Sequence, residues 1–233
     1  MIINSLSLLI PTKNDHLRIA ENIQKILDFL SNNIENYEVL IISNGSTNKS
    51  IEYIDNLTIN YEFVKHIKVK NPGKGLAIKI GLNDAKYNNV IFTDADCSVE
   101  IHEMSKFIKN GRFLAPLVIG NRRNINSLNE NTPIIRRLTG FVYIKVFNRL
   151  FKTDIEDTQC GFKGIDKEIF KNAKSISFNG FTFDAELIIL ALKSNIKICQ
   201  VPVNYKHNSD SKVRILKDSF KMFKDLLVLY KKY

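Results

Sequence analysis

Along the first half of the chain, short apolar runs alternate with longer stretches whose apolar residues recur every three to four positions. These are the signatures of buried strands and amphipathic helices. LSLLI (6–10) predicts a strand, and Leu17, Ala20, Ile23, Ile26, Leu27 and Leu30 mark the apolar side of a helix over 17–30. YEVLIIS (37–43) predicts a second strand, followed by a helix around 49–57. FVKHIKVK (63–70) alternates as a third strand, 75–85 reads as a helix, NVIFT (89–93) as a fourth strand and APLVIG (115–120) as a fifth. Strands joined by helical crossovers imply an α/β fold, a mostly parallel sheet with helices on both faces. Ligands of such sheets sit beyond the carboxyl ends of the strands.

At the other end, Leu216, Phe220, Phe223, Leu227 and Tyr230 follow helical spacing, with Lys217, Lys221, Lys224 and Lys231 as a neighbouring stripe. Residues 212–233 carry seven Lys or Arg against Asp218 and Asp225, within a chain of net charge +10. A basic amphipathic helix of this kind either packs on the core with a solvated lysine face or docks on an anionic membrane surface. Nucleic acid is not an expected partner, since neither glycine-flanked aromatics on a strand nor a recognition-helix pattern is present.

Composition narrows the classes. At 233 residues, 44% hydrophobic and 25% charged, the chain suits one globular domain. Cys97, Cys160 and Cys199 are odd in number and lack CxxC spacing, against a disulfide framework or a structural zinc and in keeping with a reducing cytosol. No basic region precedes the first apolar run and Pro11 closes it, so a buried strand is expected there rather than a signal peptide. No apolar stretch is long enough to span a bilayer.

Each predicted strand ends in a polar, Gly-rich or basic cluster: PTKND, SNGSTNKS, NPGKG, TDADC and GNRR. Each has a local explanation: Asn44-Gly45 is a turn signal, Thr47 or Ser50 a helix cap, and Gly73 to Gly75 a tight loop into a helix. Together on one rim, with Lys74, arginines and two carboxylates, they suit a phosphorylated ligand held with a divalent metal. In an extended segment Asp94 and Asp96 would point to the same side and need a cation or a shared proton between them, although the same residues also make an ordinary turn. GKG fits neither the P-loop nor the dinucleotide pattern, so neither ATP hydrolysis nor NAD is supported.

The segments LIPTKND, ISNGSTNKS, NPGKGLAIKIGL, VIFTDADCS, GNRR, DTQCGFKGI, GFTFDAELI and VPVNYKHNSDSKV together resemble family 2 glycosyltransferases of the GT-A fold. The likeness runs over about 6–230 and is greatest to the branch of dolichyl-phosphate β-glucosyltransferase and other polyprenyl-phosphate sugar transferases. It implies that Asp94-Ala95-Asp96 is a DxD motif holding Mn²⁺ or Mg²⁺ against the diphosphate of a nucleotide sugar. Pro11, Thr12, Asp15, Asn44 and Lys74 fall on donor-binding loops. Asn14-Asp15 and Ser43-Asn44-Gly45-Ser46 depart from the family's usual Asn-Glu and Asp-Asp-Gly-Ser, which leaves uridine or guanosine open. Lys212, on a loop with His207 and Ser211, is placed to reach a donor phosphate.

On the acceptor side the resemblance puts Asp157, after Glu156, where hydroxyl-glycosylating members carry their base. With a phosphate acceptor, already ionised, Asp157 would instead orient a donor hydroxyl or an arginine. Asp184 reads either as an N-cap or as a site residue. Arg122, Arg136 and Arg137 resemble the family's clamp on the acceptor phosphate, with Thr139 in place of its serine. Residues 133–152 read as a helix on a membrane surface or as a core helix with a basic edge.

These implications make an inverting, metal-dependent glycosyltransferase, with Asp96 and Asp157 in the chemistry, moving glucose from UDP-glucose to a polyprenyl phosphate. The expected domain is 1–233, with a nucleotide-sugar half over 1–123, an acceptor half over 124–211 and the basic helix over 212–233. The expected location is cytoplasmic, peripheral at the inner face of a membrane. Contact would be made through 133–152 and the C-terminal helix, with a membrane protein partner or a homo-oligomer as a second contact. A hydroxyl acceptor, such as a lipid-linked or surface-polysaccharide sugar, is the main alternative. Sugar-1-phosphate nucleotidyltransfer would want a glycine-rich basic loop after the first strand, and a basic adaptor would keep the fold without the chemistry.

Overall fold

The computed structural model describes residues 2–130, 132–168, 170, 176–206 and 215–233, with the backbone alone for 215–219. In the first half, β1 (Ile3–Thr12), β2 (Ile34–Asn44), β3 (Val64–Val69) and β4 (Asn89–Phe92) alternate with α1 (His16–Asn33), α2 (Asn48–Thr58) and α3 (Lys74–Asp84). A 3-10 helix (Ile101–Phe107) and the ribbon β5 (Ile108–Lys109)–β6 (Arg112–Phe113) lead to β7 (Leu117–Asn121). Then follow β8 (Asn129–Glu130), α4 (Ile134–Phe151), β9 (Lys163–Asp166), α5 (Phe183–Lys193), β10 (Ile198–Pro202), β11 (Tyr205–Lys206) and α6 (Ile215–Lys232).

The main sheet has seven strands in the order β10-β7-β9-β4-β1-β2-β3. Its pairs are parallel except at β9, which runs antiparallel to both β4 and β7. β11 and β8 form a small parallel pair beside it. The near-continuous apolar runs of β1 and β2 follow from burial on both faces. Leu8 and Ile10 point into one core with Ile19, Ile23 and Leu30 of α1, while Leu9 points into the other with Ile78, Leu82 and Ile188. The expected mostly parallel α/β sheet is therefore present, with each predicted strand and helix of the first half shifted by at most a few residues at its ends.

Three expectations change. β9 was legible only as part of the motif DTQCGFKGI, because it is four residues long and carries a lysine, so no alternation announces it. On α6 the core face is turned from the expected stripe: Leu226 and Leu229 are fully buried, whereas Phe220, Leu227 and Tyr230 are more than half exposed. Met222, Phe223 and Tyr233 pack beside Leu226 and Leu229. The expected stripe and the buried one both satisfy helical spacing and overlap at Phe223, whose ring meets Tyr143 of α4, while Tyr230 meets Phe151 at the edge of the contact. Finally, α4 buries only Tyr143, Ile144 and Phe147, leaving Ile134, Ile135, Leu138, Phe141 and Val142 exposed. No described helix is long and apolar enough to cross a membrane.

Candidate active site

The carboxyl ends of β1, β2, β4 and β7 and the loop before α3 open onto one cleft of about 1240 Å³, closed on the far side by α4. It collects Pro11, Thr12, Asp15, Asn44, Lys74, Asp94, Asp96, Arg122, Arg136, Arg137, Thr139 and Asp157. Lys212, His207 and Ser211 lie outside the described residues. Among the described residues, three buried side-chain polar atoms lack a hydrogen-bond partner: Thr12 Oγ1, Tyr143 Oη and Asn148 Oδ1. All three residues line this cleft. Buried polar groups are nearly always paired, so unmade bonds gathered on one cavity mark where a ligand belongs.

The donor-side loops are fastened to one another. Asn14, at φ 56°, accepts hydrogen bonds from Thr47 N (2.8 Å) and Thr47 Oγ1 (3.1 Å), and its own N–H donates to Ser46 Oγ (3.2 Å). Asn44 donates from Nδ2 to Thr12 O (2.8 Å) and accepts Gly73 N at Oδ1 (2.9 Å). Asn44 is thus a staple among three strand ends. Thr47, not Ser50, occupies the N-cap position of α2, without a side-chain cap bond. The Asp15 carboxylate stands 3.4 Å from Arg18. The glycines of NPGKG are needed because residues 178–179 cross directly over them. A Cβ on Gly73 would lie 2.5 Å from Asn179 O, and one on Gly75 2.6 Å from Phe178 O.

Asp94 and Asp96 do not continue an extended strand. β4 ends at Phe92, and Cys97 N donates to Asp94 O at 3.1 Å, so the two aspartates occupy a tight turn. Ala95, buried between them, anchors that turn in the core. Lys74 Nζ donates to Asp94 Oδ1 at 2.7 Å, and Asp94 Oδ2 lies against the bare face of Gly161. Burial alone would lower the Lys74 ammonium, but Asp94 and Asp184 together outweigh it and the net shift is upward. Asp96 Oδ1 accepts Ser98 N at 3.1 Å. Burial, and then Asp96 and Asp94, push the Cys97 thiol up to about 12. Among the described residues no group of three or more His, Cys, Asp or Glu could hold a metal. Among the described residues the protein's share is the two carboxylates, a donor set that fits a hard cation whose other ligands are diphosphate oxygens and water.

On the acceptor side, Arg122 and Asp157 engage each other. Arg122 Nε donates to Asp157 Oδ2 (2.7 Å) and Nη2 to Oδ1 (2.9 Å), and Gln159 N adds a bond to Oδ1 (3.1 Å). Burial by itself would raise the Asp157 carboxyl, yet Arg122 holds it below the usual range. The Arg122 guanidinium also lies 5.0 Å from the Tyr205 ring centre. With Arg122 turned inward, its neighbour Arg123 faces α4 across Gly140, whose missing Cβ leaves room for the guanidinium. Arg123 and Arg137 border a pocket of about 370 Å³ with Ile134, Leu138 and Phe141. Neither arginine has an ion-pair partner among the described residues. The Thr139 hydroxyl donates back to Ile135 O at 2.9 Å, so its one proton is committed within α4. Glu156 is exposed and accepts Asn121 Nδ2 at 2.5 Å.

Behind the cleft sits Lys163, fully buried on β9, bonded to Asp184 Oδ1 and to Cys160 O (2.5 Å). Asp184 is not the cap of α5; Thr182 holds the N-cap position. Glu186, also fully buried, accepts Ser177 N and Phe178 N (both 2.9 Å), Ser177 Oγ (2.7 Å) and Lys232 Nζ (2.9 Å). Burial alone would raise this carboxyl, but these donors outweigh it and hold it low. Arg123, Tyr143, Lys163 and Glu186 were not singled out from sequence. For Lys163 and Glu186 the signal was a charge inside an apolar run; for Tyr143 there was none.

The family profile for glycosyl transferase family 2 matches residues 7–173. Dolichyl-phosphate beta-glucosyltransferase of Saccharomyces cerevisiae is 29% identical over 251 aligned positions, covering 98% of this chain and 75% of the yeast protein. The protein of that name from Homo sapiens is 27% identical, with 98% and 75% covered. Among solved structures, mannosyl-3-phosphoglycerate synthase from Rubrobacter xylanophilus superposes with a TM-score of 0.73 at 14% identity, over 97% of this chain and 73% of that one. Glucosyl-3-phosphoglycerate synthase from Mycobacterium tuberculosis, solved with Mn²⁺, UDP and glucosyl-3-phosphoglycerate, gives 0.68 at 16% identity, over 97% and 78%. With the parallel sheet, the cleft at its carboxyl edge and this match over most of its length, the chain belongs to glycosyl transferase family 2, has the GT-A fold and is a glycosyltransferase.

Proposed function

We propose that the protein transfers glucose from UDP-glucose to a polyprenyl phosphate at a membrane surface, with inversion at the anomeric carbon. The observation that carries the choice of acceptor is the Arg122–Asp157 pair. A hydroxyl acceptor needs a base, and the carboxylate at the expected position is buried, engaged at both oxygens and held at low basicity. A phosphate acceptor needs none. Its ionised oxygen attacks the anomeric carbon, the bond to the diphosphate breaks, and the electron pair leaves on UDP. Asp157 then serves to fix Arg122, while Arg123 and Arg137 meet the acceptor phosphate. The exposed Ile134, Leu138 and Phe141 beside them suit the apolar tail and the surface of its membrane. The curated relatives named for dolichyl-phosphate glucosylation favour the same acceptor.

On the donor side, the unpaired Thr12 Oγ1 supports a nucleoside against β1 and the loop after β2. Asp94 and Asp96 would hold Mn²⁺ or Mg²⁺. When bound, the cation neutralises the charge that builds on the departing diphosphate. Lys74 supplies positive charge at the same place, and Lys212, from the segment after β11, remains the expected further phosphate contact. We place the protein at the cytoplasmic face, held by α4 and α6 with a membrane protein or a second copy as additional contact. The test is glucose transfer from labelled UDP-glucose to polyprenyl phosphate in detergent, with Mn²⁺ or EDTA, for wild type and Asp96→Ala. A glycolipid product lost with EDTA and in the variant is the expected result. Transfer only to hydroxyl acceptors, abolished in Asp157→Asn while UDP binding is kept, would replace the phosphate reading by the hydroxyl one.

A further inference from the structure

We propose that Tyr143, Asp184 and Phe181 form the subsite that reads the hydroxyl groups of the transferred hexose. The inference rests on the donor reading above and adds what recognises its sugar. Tyr143 projects from α4 and is only 3% exposed, with its ring held edge-on to Phe223 of α6 at 5.4 Å. That ring packing would be served as well by phenylalanine. The hydroxyl instead ends buried and without a partner among the described residues, on a side chain that lines the cleft. A buried donor kept unpaired is destabilising unless something else meets it. Burial, and after it Asp184 and Asp225, push the phenol up, so it stays protonated and able to donate.

The groups around it select the kind of ligand. Asp184 is near enough to act electrostatically on both Tyr143 and Lys74, which places this corner next to the diphosphate end of the cleft. Lys163 takes Asp184 Oδ1, and Oδ2 has no hydrogen bond among the described residues. Asp225 accepts Thr182 Oγ1 at 2.7 Å. Two carboxylates against one lysine repel a phosphate. A neutral polyol suits them, giving a proton to Asp184 and taking one from Tyr143. Phe181, 43% exposed on the same wall, offers an apolar face to the carbon side of a sugar ring, and nothing lies within 4 Å of where a Cβ of neighbouring Gly180 would stand.

Tyr143→Phe isolates the hydroxyl. Titrate UDP-glucose and UDP separately into wild type and variant by calorimetry with Mn²⁺, and record both melting curves. UDP affinity and melting temperature are expected to stay level, or the latter to rise, while UDP-glucose affinity falls about fivefold to tenfold, the worth of one hydrogen bond. A set of monodeoxy UDP-glucose analogues should show wild type disfavouring one of them and the variant losing that discrimination alone. An unchanged UDP-glucose to UDP affinity ratio with discrimination retained would overturn the subsite, as would a parallel loss of UDP affinity and melting temperature, which marks a structural residue. The titrations contain no acceptor, so failure to glycosylate polyprenyl phosphate leaves this result standing. Wild type that binds neither UDP-glucose nor UDP overturns the donor reading and the subsite together.

Discussion

On the sheet side of the cleft, polar side chains are used on one another: Asn14 on Ser46 and Thr47, Asn44 on Thr12 and Gly73, Lys74 on Asp94. On the helical side, Ile134, Leu138, Phe141 and Leu227 face solvent, and Arg123 and Arg137 stand without an ion-pair partner among the described residues. Apart from the open Thr12 hydroxyl, the first wall is fixed as it folds, which suits a small soluble donor that must meet preset groups. The second leaves apolar area and positive charge uncovered, as a wall does when another phase finishes it. The Arg122–Asp157 pair ties the loop after β7 to the loop before β9, and the Glu186 cluster ties α5 to residues 177–178 and to the end of α6.

Breaking those ties should cost most. Asp157→Ala strands Arg122 inside the protein and should lower stability by about 3–5 kcal/mol; chemical denaturation measures it, and Arg122→Met with Asp157→Leu together should lose less than the sum of the single changes. Glu186→Ala removes the acceptor for two backbone N–H groups and a lysine. It should cost about 2–3 kcal/mol and weaken donor binding, because residues 178–179 rest on Gly73 and Gly75. Acid offers a milder version of both. Asp157 and Glu186 have depressed folded-state values, so their stabilisation is present above the unfolded value near 4 and is lost as pH falls through the folded one. Stability should therefore drop steeply below about pH 4, and less steeply in Glu186→Gln. The smallest effect on the fold should come from Phe141→Asp, within about 0.5 kcal/mol by melting because the side chain is exposed. The same change should cut sedimentation with anionic vesicles about tenfold. Equal vesicle binding would break the contrast between the walls.

The sheet was legible because β1, β2 and β4 are apolar on both faces and each ends in an unmistakable polar cluster. The rim could be assembled from such ends alone. What periodicity could not settle was direction around a helix: Phe220, Phe223 and Leu227 keep the same spacing as Leu226, Leu229 and Tyr233, and only packing in the folded chain shows which of them are covered. The turn at Asp94 was one of two readings of TDADC, and the sequence could not choose it because the apolar run ahead of it does not say where pairing stops. Nor could GNRR reveal which arginine turns inward. That depends on Asp157, some thirty-five residues later, and on the gap at Gly140.

Residues 176–179 have no regular secondary structure, yet the amides of Ser177 and Phe178 both end on the buried Glu186 carboxylate, which Lys232 also holds. In deuterated solvent these two loop protons should be retained as long as those of neighbouring α5, and should leave together when the end of α6 lifts away. Their exchange would then act as a clock for the opening of the floor beneath Lys74, read from the opposite end of the chain.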